Sequence, residues 1–303
     1  MVMIHIADWW RADKTNLVVK CANRPPYRYP RRNEKKNTTR NHIYTSYFKI
    51  SVMSSTTPVA VNHENRHDTA IPPDSKIDQA ASIRYWNSVS ATSTDMLAML
   101  GRYPWYTRID LQGSKCFLAK VRRLTPACTA EGKLARGVDC GAGVGRVTGG
   151  FLSQVCEVVD AVEPVEKFTQ VLRDSALKRD GVVGDIYTMG LEDWNPGNNY
   201  YDLIWTQFCV GHLTDVQLKE YIIRCRAALT VTGIMVVKEN MSTDPKGEDM
   251  YDELDSSVTR TDEKFRSIFK EAGMNLMASE IQSGFPKNFK LLPVRFYALR
   301  PKP

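Results

Sequence analysis

The chain has 303 residues, 43% of them hydrophobic, and carries a formal net charge of +7. This length allows one large domain or two small ones, and no stretch reaches the roughly 20 apolar residues that a membrane-spanning helix needs. The seven cysteines are scattered without a Cys-x-x-Cys pair, which favours reduced intracellular thiols over a disulfide or zinc framework.

The basic charge is concentrated at the start of the chain. Residues 1–52 hold eleven Lys or Arg against three acidic residues, a net of +8, which leaves −1 for residues 53–303. The segment is rich in Pro, Arg and Asn and lacks apolar periodicity, so we predict a disordered basic extension. Three interpretations stay open: a nucleic-acid arm, a targeting peptide, or a stretch that is not translated because synthesis begins at Met53. The near-neutral remainder argues against a direct nucleic-acid role for the folded domain.

Residues 53–74 are predicted to be a polar, disordered linker. Within them "HENRH", His63 to His67, matches the H-E-x-x-H pattern of zinc proteases. That chemistry needs both histidines on one face of a buried helix, whereas prolines and no apolar stripe flank this motif. We interpret the match as a coincidence and expect no metal.

The remaining chain, residues 75–303, is predicted to be one α/β domain. Three amphipathic helices are expected in residues 75–125, in "KIDQAASIRYW", "TDMLAML" and "SKCFLAKVRRL". Strand-like runs then alternate with helical stretches, from "RGVDCG" to "VRFYALR". This spacing predicts βαβ units and a mainly parallel sheet with helices on both faces, preceded by an N-terminal helical addition.

A glycine-rich turn follows the first predicted strand. Asp139 closes that strand, and Gly141, Gly143 and Gly145 follow before Arg146 opens a predicted helix. Glycines let the backbone approach a ligand closely, and the N–H groups of a helix start favour polar or anionic groups. The turn predicts a nucleotide-like cofactor, although ordinary tight turns also use glycines.

Polar and aromatic residues stand at the ends of the other predicted strands. In parallel sheets the ligand lies at the carboxyl ends of the strands, where the strand order reverses. We therefore expect the strand-end residues to form one site: Glu163, Leu191, Glu192, Gln207, Phe208, His212 and Asn240.

Five segments considered together resemble the alpha-N-terminal protein methyltransferases: "DCGAGVGR", "GLEDW", "IWTQFCVGHLTD", "VVKENM" and "DELDSSVTR". These are class I enzymes that use S-adenosyl-L-methionine to methylate the free α-amino group of proteins beginning X-Pro-Lys or X-Pro-Arg. "GHLTD" joined to the downstream "DxxDSS" is the most specific part, because generic methyltransferases lack both. The resemblance covers residues 80–303 and implies a Rossmann-like fold of seven strands, the last of them antiparallel.

The resemblance also implies a cofactor site. Gly141 and Arg146 would line the methionine end of the cofactor, with the arginine pairing with its carboxylate. Glu163, where the family often has Asp, would hold the ribose. The other implied cofactor contacts are Pro164, Val165, Leu191, Glu192 and Gln207, of which Leu191 and Glu192 would border the adenine. From the residues alone, Arg146 could also be a surface cation.

On the substrate side the resemblance implies a peptide channel. Trp86 and Phe208 would wall it, Asp252 would meet the Lys or Arg side chain at position three, and Asn240 and Ser257 would hold the peptide. Asp255 and His212 match the pair associated with deprotonating the amine, and which of them is the base stays open. Without the resemblance, "DELDSS" is equally well interpreted as a solvated loop.

Two departures from the family pattern affect the predicted channel. Phe208 stands where relatives often carry Trp, which keeps an apolar wall but loses the indole N–H. Leu292 stands where many carry Tyr, so a hydrogen bond to the peptide is missing. Both concern affinity and specificity rather than the chemistry.

Two alternative functions remain open. A small-molecule methyltransferase of the same fold would have a closed apolar pocket in place of Asp252 and Asp255, and a pure binding module would bind cofactor without turnover.

The expected partners are protein N-termini, including ribosomal and chromatin-type proteins by resemblance, in the cytoplasm or nucleus and without a membrane. The physiological substrates, the number of methyl groups added and the oligomeric state stay open.

Overall fold

The computed structural model describes residues 71–124 and 132–302. The predictions for residues 1–52, for most of the linker and for "HENRH" lie outside these residues. Within them, none of the helices has the length and apolar content needed to cross a membrane.

The helices fall into an N-terminal group and a group interleaved with the strands. The helices are α1 (Gln79–Ser88), α2 (Ser93–Met96), α3 (Pro104–Arg123), α4 (Ser153–Val155), α5 (Glu166–Arg173), α6 (Ala176–Arg179), α7 (Asp215–Ala228) and α8 (Asp262–Glu271). Short 3-10 turns cover Pro73–Lys76, Ala98–Arg102, Val210–His212 and Lys287–Phe289, and a π turn covers Thr148–Leu152. The first three helices confirm the predicted N-terminal helical addition.

Seven strands form one sheet and two more form a hairpin. The sheet strands are β1 (Leu134–Cys140), β2 (Cys156–Val162), β3 (Val183–Tyr187), β4 (Tyr201–Gln207), β5 (Leu229–Asn240), β8 (Met274–Ile281) and β9 (Val294–Pro301), and the hairpin consists of β6 (Met250–Asp252) and β7 (Ser257–Thr259). The sheet order is β3-β2-β1-β4-β5-β9-β8. Only β9 runs against its neighbours in this sheet. The predicted mainly parallel sheet with an antiparallel last strand is confirmed.

Helices cover both faces of the sheet because its central strands are apolar on both sides. On β4, Ile204 packs with side chains of α7 and α8 on one face. Leu203 and Trp205 pack with side chains of α3 on the other. Successive residues of a strand point to opposite faces, so a continuous apolar run such as this fits a buried parallel strand.

The strand order reverses between β1 and β4, each of which pairs with the other and with an outer neighbour. Their carboxyl ends, Cys140 and Gln207, therefore diverge into a crevice where ligands bind in sheets of this type.

The β6–β7 hairpin was not expected from the residues alone, which equally allowed a solvated loop. Asp252 pairs with Ser257 at its end, so the turn Glu253–Ser256 is short. Strands of three residues are too short to show an alternating pattern.

The predicted domain boundary at residue 75 stays a prediction. Asp74 already contacts the domain, because its carboxylate accepts a hydrogen bond from the Asp215 N–H at 2.9 Å.

Candidate active site

Two adjoining cavities lie at the carboxyl ends of the strands. The first borders about 1140 Å³ of empty space and the second about 600 Å³. We call them the cofactor chamber and the acceptor cavity. Phe208 and His212 line both. The site is thus one crevice divided by the turn that follows β4.

The glycine turn after β1 forms one wall of the cofactor chamber. Gly141, Gly143 and Gly145 have φ angles of 74°, 55° and 84°, a left-handed conformation that side chains disfavour. A Cβ at Gly143 would lie 2.5 Å from Met96 Cε of α2. Glycine is favoured here mainly by the backbone conformation, because the Met96 side chain is flexible and its end can move away from an added Cβ.

Glu163 lies at the end of β2 and is almost fully buried. One carboxylate oxygen accepts the Gly143 N–H at 2.9 Å and the other accepts the Val165 N–H at 3.0 Å. Burial raises the pKa of Glu163 to about 7, although these two hydrogen bonds lower it. Each carboxylate oxygen can accept a second hydrogen bond, so two lone pairs remain for hydroxyl groups in the chamber.

A buried charge cluster lies behind the methionine end predicted for the cofactor. Asp110 of α3 accepts hydrogen bonds from Arg146 at 2.7 Å, from Gln207 at 3.0 Å and from Lys238 of β5. Burial by itself would raise the pKa of Asp110, but Lys238 and Arg146 outweigh it and lower the pKa to about 2. Two cations therefore face the Asp110 carboxylate, and one of them, Arg146, also lines the chamber.

The loop after β3 closes the opposite end of the chamber. Leu191 and Glu192 line the chamber there. The guanidinium of Arg224 on α7 donates to three backbone carbonyls of this loop, those of Leu191 at 2.7 Å, Glu192 at 2.9 Å and Trp194 at 2.8 Å. The guanidinium of Arg224 thus fixes this loop from the side that faces α7.

The turn after β4 is held from two sides. Phe208 adopts a left-handed φ of 56°. The Glu239 carboxylate accepts the N–H groups of Cys209 at 2.6 Å and Val210 at 3.1 Å. Arg260, fully buried after β7, donates to the carbonyls of Val210 and Leu213. Strained backbone of this kind persists only where its surroundings fix it.

The acceptor cavity is acidic. Among the described residues, its lining includes Asp252, Asp255 and Glu239 but no Lys or Arg. Ser257 donates to Asp255 at 2.6 Å, and Asp255 is only 5% exposed. Burial raises the pKa of Glu239 to about 7, against the hydrogen bonds it accepts. Asn240 Oδ1 is buried and has no hydrogen-bond partner among the described residues, so it can accept from a ligand.

His212 lies between the two cavities and is hydrogen-bonded at both ring nitrogens. Nδ1 lies 2.9 Å from Ser82 Oγ, and the Trp86 indole N–H donates to Nε2 at 3.2 Å. Burial lowers the pKa of His212 to about 4, and the Ser256 backbone opposes this to a smaller extent. The imidazole is therefore neutral at pH 7.

The structure gathers most of the predicted site residues in these cavities. The cofactor chamber is lined by Gly141, Arg146, Glu163, Pro164, Leu191, Glu192 and Gln207 among the predicted cofactor contacts, and the acceptor cavity by Phe208, His212, Asn240, Asp252, Asp255 and Ser257. Val165 lines neither and packs beneath the chamber with Trp86 and Phe168. Trp86 borders the cofactor chamber and not the acceptor cavity, which it reaches through His212. The functional roles of all these residues stay predictions.

Sequence reasoning missed the residues that support the site from behind: Asp110, Arg224, Lys238, Glu239 and Arg260. Charged residues in the otherwise apolar run "IMVVKEN" were a usable signal for Lys238 and Glu239, because buried charges need partners. No pattern marked Asp110 or Arg224, since charged residues are ordinary on amphipathic helices.

Comparisons with known proteins agree with this geometry. A family model described as AdoMet dependent proline di-methyltransferase matches residues 74–300. Alpha N-terminal protein methyltransferase 1 of Schizosaccharomyces pombe is 40% identical over 224 residues, covering 73% of this chain and 94% of the relative. N-terminal Xaa-Pro-Lys N-methyltransferase 1 of Xenopus tropicalis is 36% identical over 203 residues, covering 67% and 87%.

A solved structure is similar over the same part of the chain. A SAM-dependent methyltransferase of Leishmania major matches with a TM-score of 0.63 and 29% identity, covering 73% of this chain and 82% of that one. Given the family match over residues 74–300, the chain belongs to the AdoMet-dependent proline di-methyltransferases, and its cofactor is S-adenosyl-L-methionine.

Proposed function

We propose that this enzyme transfers methyl groups from S-adenosyl-L-methionine to the free α-amino group of proteins that begin X-Pro-Lys or X-Pro-Arg after removal of the initiator Met, adding one, two or three. The observation that carries the proposal is the acidic acceptor cavity beside the cofactor chamber. A cavity lined by three acidic side chains, with no Lys or Arg among its described lining residues, complements a cationic peptide N-terminus. The names of the relatives from Schizosaccharomyces pombe and Xenopus tropicalis point to the same substrate class.

The cofactor chamber has the polar groups that S-adenosyl-L-methionine requires. Arg146 would pair with its carboxylate and Glu163 would accept from its ribose hydroxyls. Leu191 would pack against its adenine, and Gln207 would lie near its methionine end. Gln79 Nε2 is buried in this chamber without a partner among the described residues, so a polar ligand would satisfy it. S-adenosyl-L-homocysteine would be the product.

When bound in the chamber, S-adenosyl-L-methionine would supply an electrophilic methyl group, whose carbon–sulfur bond would break as the bond to the amine nitrogen forms. The protein has to align the amine with that methyl and provide it in neutral form. A free α-amine titrates at about 7.7–8.0, so much of it is protonated at pH 7. Asp255, oriented by Ser257, would bind and orient this amine at the cavity. Asp255 and His212 remain the two candidates to accept its proton.

The peptide contacts follow from the cavity walls. Asp252 would pair with the Lys or Arg side chain at position three, and Asn240 Oδ1 would accept from a backbone or amine N–H. Ser257 would help to fix the peptide backbone. A rigid proline ring would pack against Phe208 at little entropic cost, because proline has few conformations to lose.

The small-molecule alternative is less well supported. It requires a closed apolar pocket, whereas Asp252, Asp255 and Glu239 line this one. Ribosomal and chromatin-type proteins with X-Pro-Lys termini, in the cytoplasm or nucleus, are the physiological partners that we propose.

Mass spectrometry of peptides tests the proposal. An X-Pro-Lys peptide incubated with the enzyme and S-adenosyl-L-methionine should gain whole methyl increments. Its N-acetylated twin should gain none, and the peptide with Pro replaced by Ala should react far more slowly. Methylation of the acetylated peptide, or of none of them while cofactor still binds, would refute the proposed substrate class.

A further inference from the structure

His212 contacts two elements: helix α1, which lines the cofactor chamber, and the β6–β7 hairpin, which lines the acceptor cavity. On one side its ring meets Ser82 and Trp86 of α1, and both of these residues line the cofactor chamber. On the other side the ring lies against the Ser256 backbone in the β6–β7 turn. The β6–β7 hairpin also carries Asp252, Asp255 and Ser257. The ring thus contacts the two elements that would hold the two substrates.

The hydrogen bonds define which nitrogen carries the proton. An indole N–H can only donate, so Nε2 of His212 must accept from Trp86. In the neutral ring the proton is then on Nδ1, which donates to Ser82 Oγ or to the Ser256 backbone. The lone pair that a general base would use is therefore occupied by Trp86.

A second set of contacts joins the same two elements. Ser256 adopts a left-handed φ of 55°, and its hydroxyl accepts the Asp78 N–H, at the start of α1, at 2.7 Å. Lys76 lies over the Tyr251 ring of β6, 5.8 Å from its centroid. The hydroxyl of the strained Ser256 is thus bonded to the start of α1, so the hairpin position depends on α1.

We propose that His212 is a positioning residue rather than the general base: a neutral joint that holds α1 over the cofactor and the β6–β7 hairpin at the acceptor cavity. Asp255 then receives the proton of the substrate ammonium: the N–H bond breaks, an O–H bond forms on the carboxylate, and the proton passes to solvent. This inference rests on the proposed function, since it assigns roles in that reaction. It also predicts that cofactor affinity depends on His212, which a base that touches only the amine would not affect.

The test uses the full chain and two readouts. The dissociation constant for S-adenosyl-L-homocysteine is measured by calorimetry without peptide, and kcat and KM are measured with an X-Pro-Lys peptide. Four variants are compared: His212→Ala, His212→Gln, Trp86→Phe and Asp255→Asn. The Gln side-chain oxygen replaces Nε2 as the acceptor for Trp86 but cannot take up a proton at pH 7. Trp105→Phe, which lines neither cavity, is the matched control for the loss of an indole N–H.

If His212 is a positioning residue, His212→Ala and Trp86→Phe should each weaken S-adenosyl-L-homocysteine binding by about tenfold. This is the change in affinity expected from the loss of one hydrogen bond. Because they break the same contact, their double variant is no weaker than the worse single one. His212→Gln recovers most of the affinity and most of the kcat that His212→Ala loses. Asp255→Asn lowers kcat by about 100-fold or more and leaves this affinity unchanged.

The opposite pattern overturns the inference. If His212→Gln is as slow as His212→Ala while both bind S-adenosyl-L-homocysteine as tightly as the parent enzyme, His212 is the base. The affinity measurement needs no peptide, so a failure of the proposed substrate class shows only in the turnover assay and is distinguishable from a failure of the joint.

Discussion

Single side chains at this site are fixed by buried charges on neighbouring elements. Asp110 is fully buried yet ionised, because Arg146 and Lys238 lower its pKa to about 2. The stabilisation from this lowered pKa is present above the ordinary carboxyl value of about 4 and is lost as pH falls through about 2. The Asp110 carboxylate therefore stays ionised at neutral and mildly acidic pH, whereas burial lowers the pKa of its partner Lys238 to about 8, so their ion pair weakens above that pH.

Removing the charge of Asp110 should destabilise the fold. Asp110→Asn leaves two buried cations without a carboxylate, at a cost of about 3–5 kcal/mol. Thermal denaturation should show a fall in Tm of about 10 °C. Asp185→Asn is the matched control, because Asp185 pairs with Arg136 at the surface, with its side chain 61% exposed. Equal, small shifts in both variants would contradict the proposed contribution of the cluster.

The pKa of His212 gives a pH-dependent prediction. The folded value of about 4 lies below the ordinary 6.5, so between these values the unfolded chain binds a proton that the folded chain does not. This difference makes stability decrease as pH falls from 6.5 to 4. The Tm of the His212→Gln variant should therefore fall less between pH 6.5 and pH 4 than the Tm of the parent enzyme. If the two curves run parallel, the histidine is not buried in its neutral form.

At the scale of elements, loops at the strand ends depend on side chains from helices beneath them. Arg224 of α7 donates to three carbonyls of the loop that carries Leu191 and Glu192. These three bonds fix the carbonyls of the loop relative to α7, so α7 helps to determine the shape of the chamber near Leu191 and Glu192.

Replacing Arg224 should weaken cofactor binding more than it lowers stability. With the loop released, we expect Arg224→Gln to raise the dissociation constant for S-adenosyl-L-homocysteine by about tenfold. Lys219→Gln, on the same helix and at the surface, should leave it unchanged. Calorimetry measures the dissociation constant for both variants. Unaltered binding in Arg224→Gln would show that the loop keeps its shape without the Arg224 guanidinium.

The elements themselves were largely predictable from the sequence. Apolar runs such as Leu203–Trp205 predicted buried strands, and the glycine turn was placed correctly between β1 and the following helical segment. The β6–β7 hairpin was not predictable from pattern, because three-residue strands carry no period. The links that join it to α1, through Ser256 and Asp78, are long-range in sequence and appear only in the folded chain.

At the scale of the whole molecule, charge is divided between two parts of the chain. Residues 1–52 carry a net of +8, and the remaining residues carry −1. The described residues that line the two cavities all lie after residue 71, and the family match begins at residue 74. We therefore expect both cavities to form without the basic segment.

Deleting residues 1–52, so that the chain starts at Met53, should leave peptide methylation intact. The comparison is of kcat/KM for an X-Pro-Lys peptide between the full and the shortened chain. Loss of activity in the shortened chain would give the basic segment a role in the reaction, and the domain organisation proposed from sequence would be wrong.

The most direct measurement is the position of the added methyl groups, determined by fragment-ion mass spectrometry on an X-Pro-Lys peptide with both an α-amine and a lysine side chain. Because the proposed role of Asp255 is to bind the terminal amine, we expect every methyl to be on the α-nitrogen. We expect Asp255→Asn to form product about 100-fold or more slowly while it still binds cofactor. Methyl groups on the lysine side chain, or a fully active Asp255→Asn enzyme, would contradict the proposed α-amine methyl transfer at this cavity.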